Sequence, residues 1–99
     1  MNNPIKKFNR IFDSRIRLGI MSVLVVNRSV DFNTLKENLE ITDGNLASHL
    51  KSLEAEKMIL VSKQYIGRKP NTSYQITEPG KQAFIDHLNA LEEFINSSQ

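Results

Sequence analysis

Ninety-nine residues suffice for one domain with a modest core and not for two independent ones. The mix of 39% hydrophobic and 24% charged residues is that of an ordinary globular chain, its longest apolar run, Ile20 to Val26, is broken by Ser22 and falls short of the ~20 residues of a membrane span, and the absence of cysteine excludes disulfides and thiolate metal sites. Net charge is only +2, yet Lys6, Lys7, Arg10, Arg15, Arg17 and Arg28 stand against the single acid Asp13 in residues 1–30, and Lys63, Arg68 and Lys69 stand against none in residues 61–77.

Such asymmetry marks a nucleic-acid footprint or a merely solvated face. The N-terminus lacks the long apolar segment and small-residue cleavage site of a signal peptide, so the chain is expected to work in the cytoplasm with no membrane partner. Pro4 to Val26 reads as helix, bent or broken near Asp13-Ser14, where either residue can cap a second helical piece. In that piece Ile16, Ile20, Val23 and Leu24 form one stripe, while Leu18, Met21 and Val25 fill other sides. A helix apolar nearly all round is sandwiched between other elements. The first piece, with Ile5, Phe8, Ile11 and Phe12, keeps apolar side chains for a partner surface. Ser29 to Phe32 alternates as a short edge strand, and Asn33 is placed to cap the next helix.

Two short helices joined by a tight turn follow. Leu35 and Leu39 lie one turn apart on the inner side of the first. After a break at Glu40-Ile41, Thr42 offers its hydroxyl as an N-cap, and Asp43 puts a negative charge in the first turn, where the helix dipole favours it. Leu46, Leu50 and Leu53 repeat at i, i+4, i+7 as one helical stripe. On a wheel of about 100° per residue, Asn45, Ser48 and Ser52 cluster on another face with His49 at its edge. That face is polar but nearly uncharged, with short side chains that donate and accept hydrogen bonds, as reading base edges requires. A plain solvated face more often carries Lys, Glu and Arg.

Beyond Glu56 the period changes. Ile59 to Ile66 is β-prone with partial alternation, Gly67-Arg68-Lys69-Pro70-Asn71 is turn-rich, and Thr72 to Thr77 resumes a strand with Tyr74 and Ile76 on one face. This predicts a β-hairpin with a basic, proline-containing tip. Thr77 caps a last helix, with Pro79 in its first turn where a missing N–H is harmless. Phe84, Leu88, Leu91 and Ile95 repeat with the spacing of a helix seam, flanked by Ile85 and Phe94. So long a stripe exceeds what a small core uses, and its distal half is expected to pair with a second copy.

A helix-turn-helix followed by a basic hairpin is the layout of a winged helix domain, in which the recognition helix enters the major groove and the wing reaches the backbone or minor groove. The expected fold is mainly α with a small β-hairpin, a winged helix-turn-helix with terminal dimerisation helices. It spans residues 1–99 as one domain, with the helix-turn-helix at 33–56, the wing at 59–77 and the C-terminal dimerisation helix at 78–96. ITDGNLASHLKSLE, followed by GRKPNTSYQITEPGKQAF, resembles the MarR/ArsR-like winged helix transcriptional regulators of bacteria and archaea, most closely their compact winged helix DNA-binding domain subgroup. The resemblance covers about Phe12 to Leu91 and implies a homodimer built from the terminal helices. One departure is Lys57, which stands where the family usually ends its recognition helix with glycine. A left-handed cap strains any other residue, so a slightly different helix exit is expected.

Asn45 is placed to pair bidentately with adenine, and Ser48, Ser52 and His49 to contact bases or phosphates. The alternative for His49 is packing beside the leucine stripe with one nitrogen satisfied. Thr42 and Gly44 stand at the helix start, where backbone N–H groups can meet a phosphate. Arg68 and Lys69, with Asn71, are wing contacts to phosphate or the minor groove. Lys63 and Lys51 are further candidates, although exposed lysines often serve solubility alone. Arg15 and Arg17 either lie over the DNA backbone or hold the first helix to its neighbours. Phe8, Phe12, Phe84, Leu88, Leu91 and Ile95 are the expected dimer contacts. The sequence offers no nucleophile–base set, thiolate metal site or glycine-rich loop, and His87, beside Asp86, is expected at a surface or interface. The reading is a sequence-specific, double-stranded DNA-binding transcriptional regulator, not an enzyme. It would bind a near-palindromic site as a homodimer, with no cofactor, and no effector is named by its residues. The competing reading is a winged helix protein–protein interaction module without DNA binding.

Overall fold

The computed structural model describes residues 4–97, so residues 1–3 and 98–99 of the expected 1–99 domain lie outside the described residues. The chain runs through 3-10 turns at Pro4–Lys7 and Arg10–Phe12, helix α1 (Arg15–Val25), strand β1 (Val30–Asp31), helices α2 (Phe32–Leu39) and α3 (Asp43–Ala55), strands β2 (Ile59–Ile66) and β3 (Lys69–Ile76), and helix α4 (Glu78–Ser97). The three strands form one antiparallel sheet in the order β1-β3-β2. Four helices around a small sheet with a protruding hairpin make a winged helix fold.

The core sits where α1 meets α2, α3 and the sheet. Ile20, Met21 and Leu24 of α1 are fully buried with Leu35 of α2, Leu46 and Leu53 of α3, and Ile59 of β2. Each helix begins on a side-chain cap that satisfies a donor the first turn leaves unpaired. Ser14, rather than Asp13, accepts from the Arg17 N–H at 3.2 Å. Asp31 caps α2, in place of the expected Asn33, because β1 is only two residues long and the chain turns into helix directly after it. The Asp31 carboxylate accepts from the Thr34 N–H at 2.8 Å, and that backbone bond holds its pKa below the ordinary 3.8. Thr42 and Thr77 cap α3 and α4 as their sequence positions suggest.

The N-terminal segment differs from its sequence reading. It forms two short 3-10 turns laid against α4 instead of a helix. Asn9 caps the second turn through the Ile11 N–H, and its own N–H donates to Nδ1 of His87 at 3.1 Å. His87, expected at a surface or interface, is only 4% exposed within the protomer, with Phe8 and Phe12 ring centroids 5.5 and 5.1 Å away. Phe12 and Phe84, expected at a dimer seam, are both buried inside the protomer, edge to face at 5.8 Å. Phe8 is half-buried between His87 and Phe94, and Lys7 pairs with Glu93 at 2.9 Å. The strap covers the first turns of the α4 stripe from within the same chain. Leu88 (44% exposed), half-buried Leu91 and Ile95 (59%) are left toward the outside.

The end of α3 closes in a left-handed cap although its residue is not glycine. Lys57 takes φ +60°, its N–H donates to the Glu54 carbonyl, and the Met58 N–H donates to the Leu53 carbonyl, both at 2.9 Å. These are the two bonds of a Schellman cap, formed here on a lysine. Directly beyond, the Thr77 N–H donates to the Met58 carbonyl at 3.0 Å. The Thr77 hydroxyl lies 2.8 Å from the Lys57 carbonyl and accepts from the Gly80 N–H at 2.9 Å. A Cβ at position 80 would sit 2.0 Å from the Met58 carbonyl oxygen.

Two glycine exchanges should therefore have opposite signs. Lys57→Gly relieves a left-handed conformation and should raise stability by about 1 kcal/mol. Gly80→Ala, although alanine is the better helix former, should lower it by about 1–3 kcal/mol because the obstacle is backbone. Urea unfolding followed by circular dichroism measures both, and a stabilised Gly80→Ala would contradict the close approach.

Candidate nucleic-acid interface

Burial of Leu46, Leu50 and Leu53 fixes the rotation of α3. Gly44, Asn45, Ser48 and Lys51 then face outward and are exposed, while Ser52 and His49 are half-buried at the edge. At the helix start the Thr42 hydroxyl is committed to the Asn45 N–H at 3.2 Å, and a Cβ on Gly44 would meet nothing within 4 Å, so this first turn is open. Asp43, whose charge would repel an anion there, is paired with Lys36 at 2.8 Å.

On one flank lies the wing. A groove of about 640 Å³ separates Ala47, Ser48, Lys51 and Glu54 from Val61, Lys63 and Thr72. Strand register pairs Val61 with Tyr74, Lys63 with Thr72 and Tyr65 with Pro70, and because successive side chains alternate, these pairs share the face turned toward α3. Lys69 and Asn71 pair with Ile66 and Gln64 on the opposite face. The turn is tighter than its sequence suggests. Only Gly67 and Arg68 lie outside the strands, with Gly67 at φ +67° as the first residue of a two-residue hairpin turn with a single positive φ requires. The structure thus separates the wing candidates: Lys63 looks into the groove, Arg68 is at the tip, and Lys69 and Asn71 are behind it.

On the other flank stands Arg17, half-buried in α1. Its Nε donates to the Ile11 carbonyl, and its Nη1 lies 3.1 Å from Nδ1 of His49. Of the two roles open to it, holding the first helix to its neighbours is the one the geometry displays. Burial, and after it the Arg17 charge, lowers the His49 pKa below 6.5. Arg10 and Arg17 line a cleft against Ser52 and Glu56 at the far end of α3, and Arg15 is exposed beside Ile41, which precedes α3. Sequence reasoning missed Tyr65, 76% exposed on the same hairpin face as Lys63. The alternation from Val61 through Lys63 to Tyr65 was the available signal. Among the described residues no group of three or more His, Asp or Glu is arranged to hold a metal, and no helix is long and apolar enough to cross a membrane.

The sequence profile of the family described as the winged helix DNA-binding domain matches residues 16–95. An uncharacterized protein of Methanocaldococcus jannaschii is 38% identical over 79 residues, 80% of this chain and 86% of that one. A transcriptional regulator homologue from Pyrococcus horikoshii OT3 superposes with a TM-score of 0.80 at 31% identity, covering 97% of each chain. MepR of S. aureus, solved as a DNA complex, superposes with a TM-score of 0.75 at 14% identity over 96% of this chain and 77% of its own, a likeness of fold alone.

The lowered His49 pKa gives a signed prediction. The folded chain binds this proton less readily than the unfolded chain, so the contribution of the neutral ring is fully present above 6.5 and is lost as pH falls through the lower folded value. Urea unfolding of wild type and His49→Gln between about pH 8 and about pH 5 should show wild type losing stability relative to the variant on acidification. A pH-independent difference would count against the lowered pKa.

Proposed function

Because this chain belongs to the winged helix DNA-binding domain family, we propose that it is a sequence-specific, double-stranded DNA-binding transcriptional regulator acting in the cytoplasm as a homodimer. One observation carries the proposal. The outward face of α3 is exposed and mostly polar, with Lys51 among its residues, and it has Lys63 across the groove on the wing flank and Arg10 across the cleft on the other. Cations on both sides of a polar strip match a duplex, whose phosphates border the base edges of the major groove.

In this reading α3, roughly 20 Å long, lies in the major groove. Asn45 has the donor–acceptor pair that adenine presents there, Ser48 and Ser52 contact bases or phosphates, and the bare Gly44 lets the helix start approach a phosphate. Arg68 at the turn, with Lys69 beside it, reaches the backbone or the adjacent minor groove, and Tyr65 and Lys63 follow on the side facing α3. Leu88, Leu91 and Ile95 of α4 meet a second copy. A twofold pair would set two reading helices about 34 Å apart and select a near-palindromic site.

Fluorescence anisotropy on the selected site and on a scrambled duplex tests the assignment. Asn45→Ala should weaken specific binding by about 1–3 kcal/mol and leave nonspecific binding intact, whereas Arg68→Ala should weaken both and reduce the salt slope by about 1. Equal losses on both duplexes for Asn45→Ala would refute base reading by that residue. Leu88→Glu, on the exposed part of α4, should shift the sedimenting species from dimer to monomer with the fold retained. A wild-type monomer at high micromolar concentration would remove the twofold arrangement.

A further inference from the structure

A guanidinium carries only donors, so the Arg17 Nη1 placed 3.1 Å from Nδ1 of His49 can be satisfied only if Nδ1 offers its lone pair. In the neutral imidazole the one ring proton must then reside on Nε2. Arg17 is itself held in place, since its Nε donates to the carbonyl of Ile11. Among the described residues no buried side-chain nitrogen or oxygen lacks a hydrogen-bond partner. Among the described residues Nε2 of this half-buried ring has no hydrogen-bond partner, so Nε2 keeps some access to solvent. His49 follows Ser48 directly and lies one turn beyond Asn45, at the edge of the outward face.

From this we infer that Arg17 is a positioning residue which locks His49 as the Nε2–H tautomer, making His49 a donor-only reader of one base position in the major groove. The partner it accepts is an acceptor edge: guanine N7 or O6, adenine N7, or thymine O4. Cytosine, which presents an amino donor there, is excluded by the orientation of a proton. Burial, and after it the Arg17 charge, lowers the proton affinity of the ring, which favours the neutral form and agrees with this. The inference rests on the DNA reading above, but its tautomer half stands on protein geometry alone.

The test has two arms on the full chain. Long-range proton–nitrogen NMR of labelled protein identifies which ring nitrogen carries the proton. Wild type should show His49 with a bare Nδ1 and a protonated Nε2, and Arg17→Met should show both tautomers. Selection of bound duplexes from a random pool then reads the base preference. Wild type should disfavour cytosine about fivefold or more at one position per half-site, and Arg17→Met should reduce that ratio to within about twofold. A general loss of affinity, which any structural role of Arg17 would cause, leaves the ratio unchanged. Should Arg17→Met fail to fold, His49→Gln serves the second arm, since its amide both donates and accepts and should admit cytosine. A wild-type proton on Nδ1 overturns the lock. A locked tautomer with unchanged base preference in the variants overturns the reading role. A wild-type pool with no enriched sequence defeats the DNA reading, and the reading role with it, while the spectrum still decides the tautomer.

Discussion

The structure depends on one constraint: three leucines of α3 can be dry only at one rotation of that helix. Leu46, Leu50 and Leu53 sit against α1 and the sheet, each buried side chain contributing about 1.5–3 kcal/mol relative to exposure. Turning the helix by a quarter would wet them and drive Asn45 and Ser48 into an apolar interior without partners, which is unfavourable twice over. The polar strip is oriented by what lies behind it. A face left polar toward solvent cannot also hold the helix down, so the holding falls to the leucines.

The same division explains what could be read from the chain. Periodicity and cap chemistry are local, and they located α3, α4, the edge strand and the hairpin from residues such as Thr42, Thr77 and Gly67. Coverage of an apolar stripe is not local. The spacing of Phe84, Leu88, Leu91 and Ile95 says that something lies on that face, but not what. The structure divides it between an N-terminal strap inside the protomer, which takes Phe84, and the outside, which keeps Leu88 and Ile95. His87 looked like a surface or interface residue for the same reason: its hydrogen-bond partner, the Asn9 N–H, is 78 positions away. Arg17 and His49, 32 positions apart, likewise carry no sequence signal of their contact. Strand register was recoverable in principle. A hairpin turn of two residues, rather than five, moves Lys69 and Asn71 onto the far face and brings Tyr65 forward.

Both turns that bound α3 contain a non-glycine residue in the left-handed region, Glu40 at φ +52° before it and Lys57 at φ +60° after it. Each costs roughly 1–2 kcal/mol. The conformation persists because tertiary packing overdetermines it: the Schellman bonds at Lys57 and the burial of Leu35 and Leu53 leave the backbone no cheaper path. A lysine in place of glycine therefore raises the energy of the helix exit.

That exit leads into the junction where Thr77 touches Lys57, Met58 and Gly80 at once. Backbone from the end of α3 and backbone from the start of α4 lie there within one hydrogen-bonding layer, with no room for even a methyl group between them. The two helices consequently form a single stiff elbow. Were two copies to join through the far end of α4, this elbow would carry the span between their two α3 faces as a caliper arm carries the distance between its jaws.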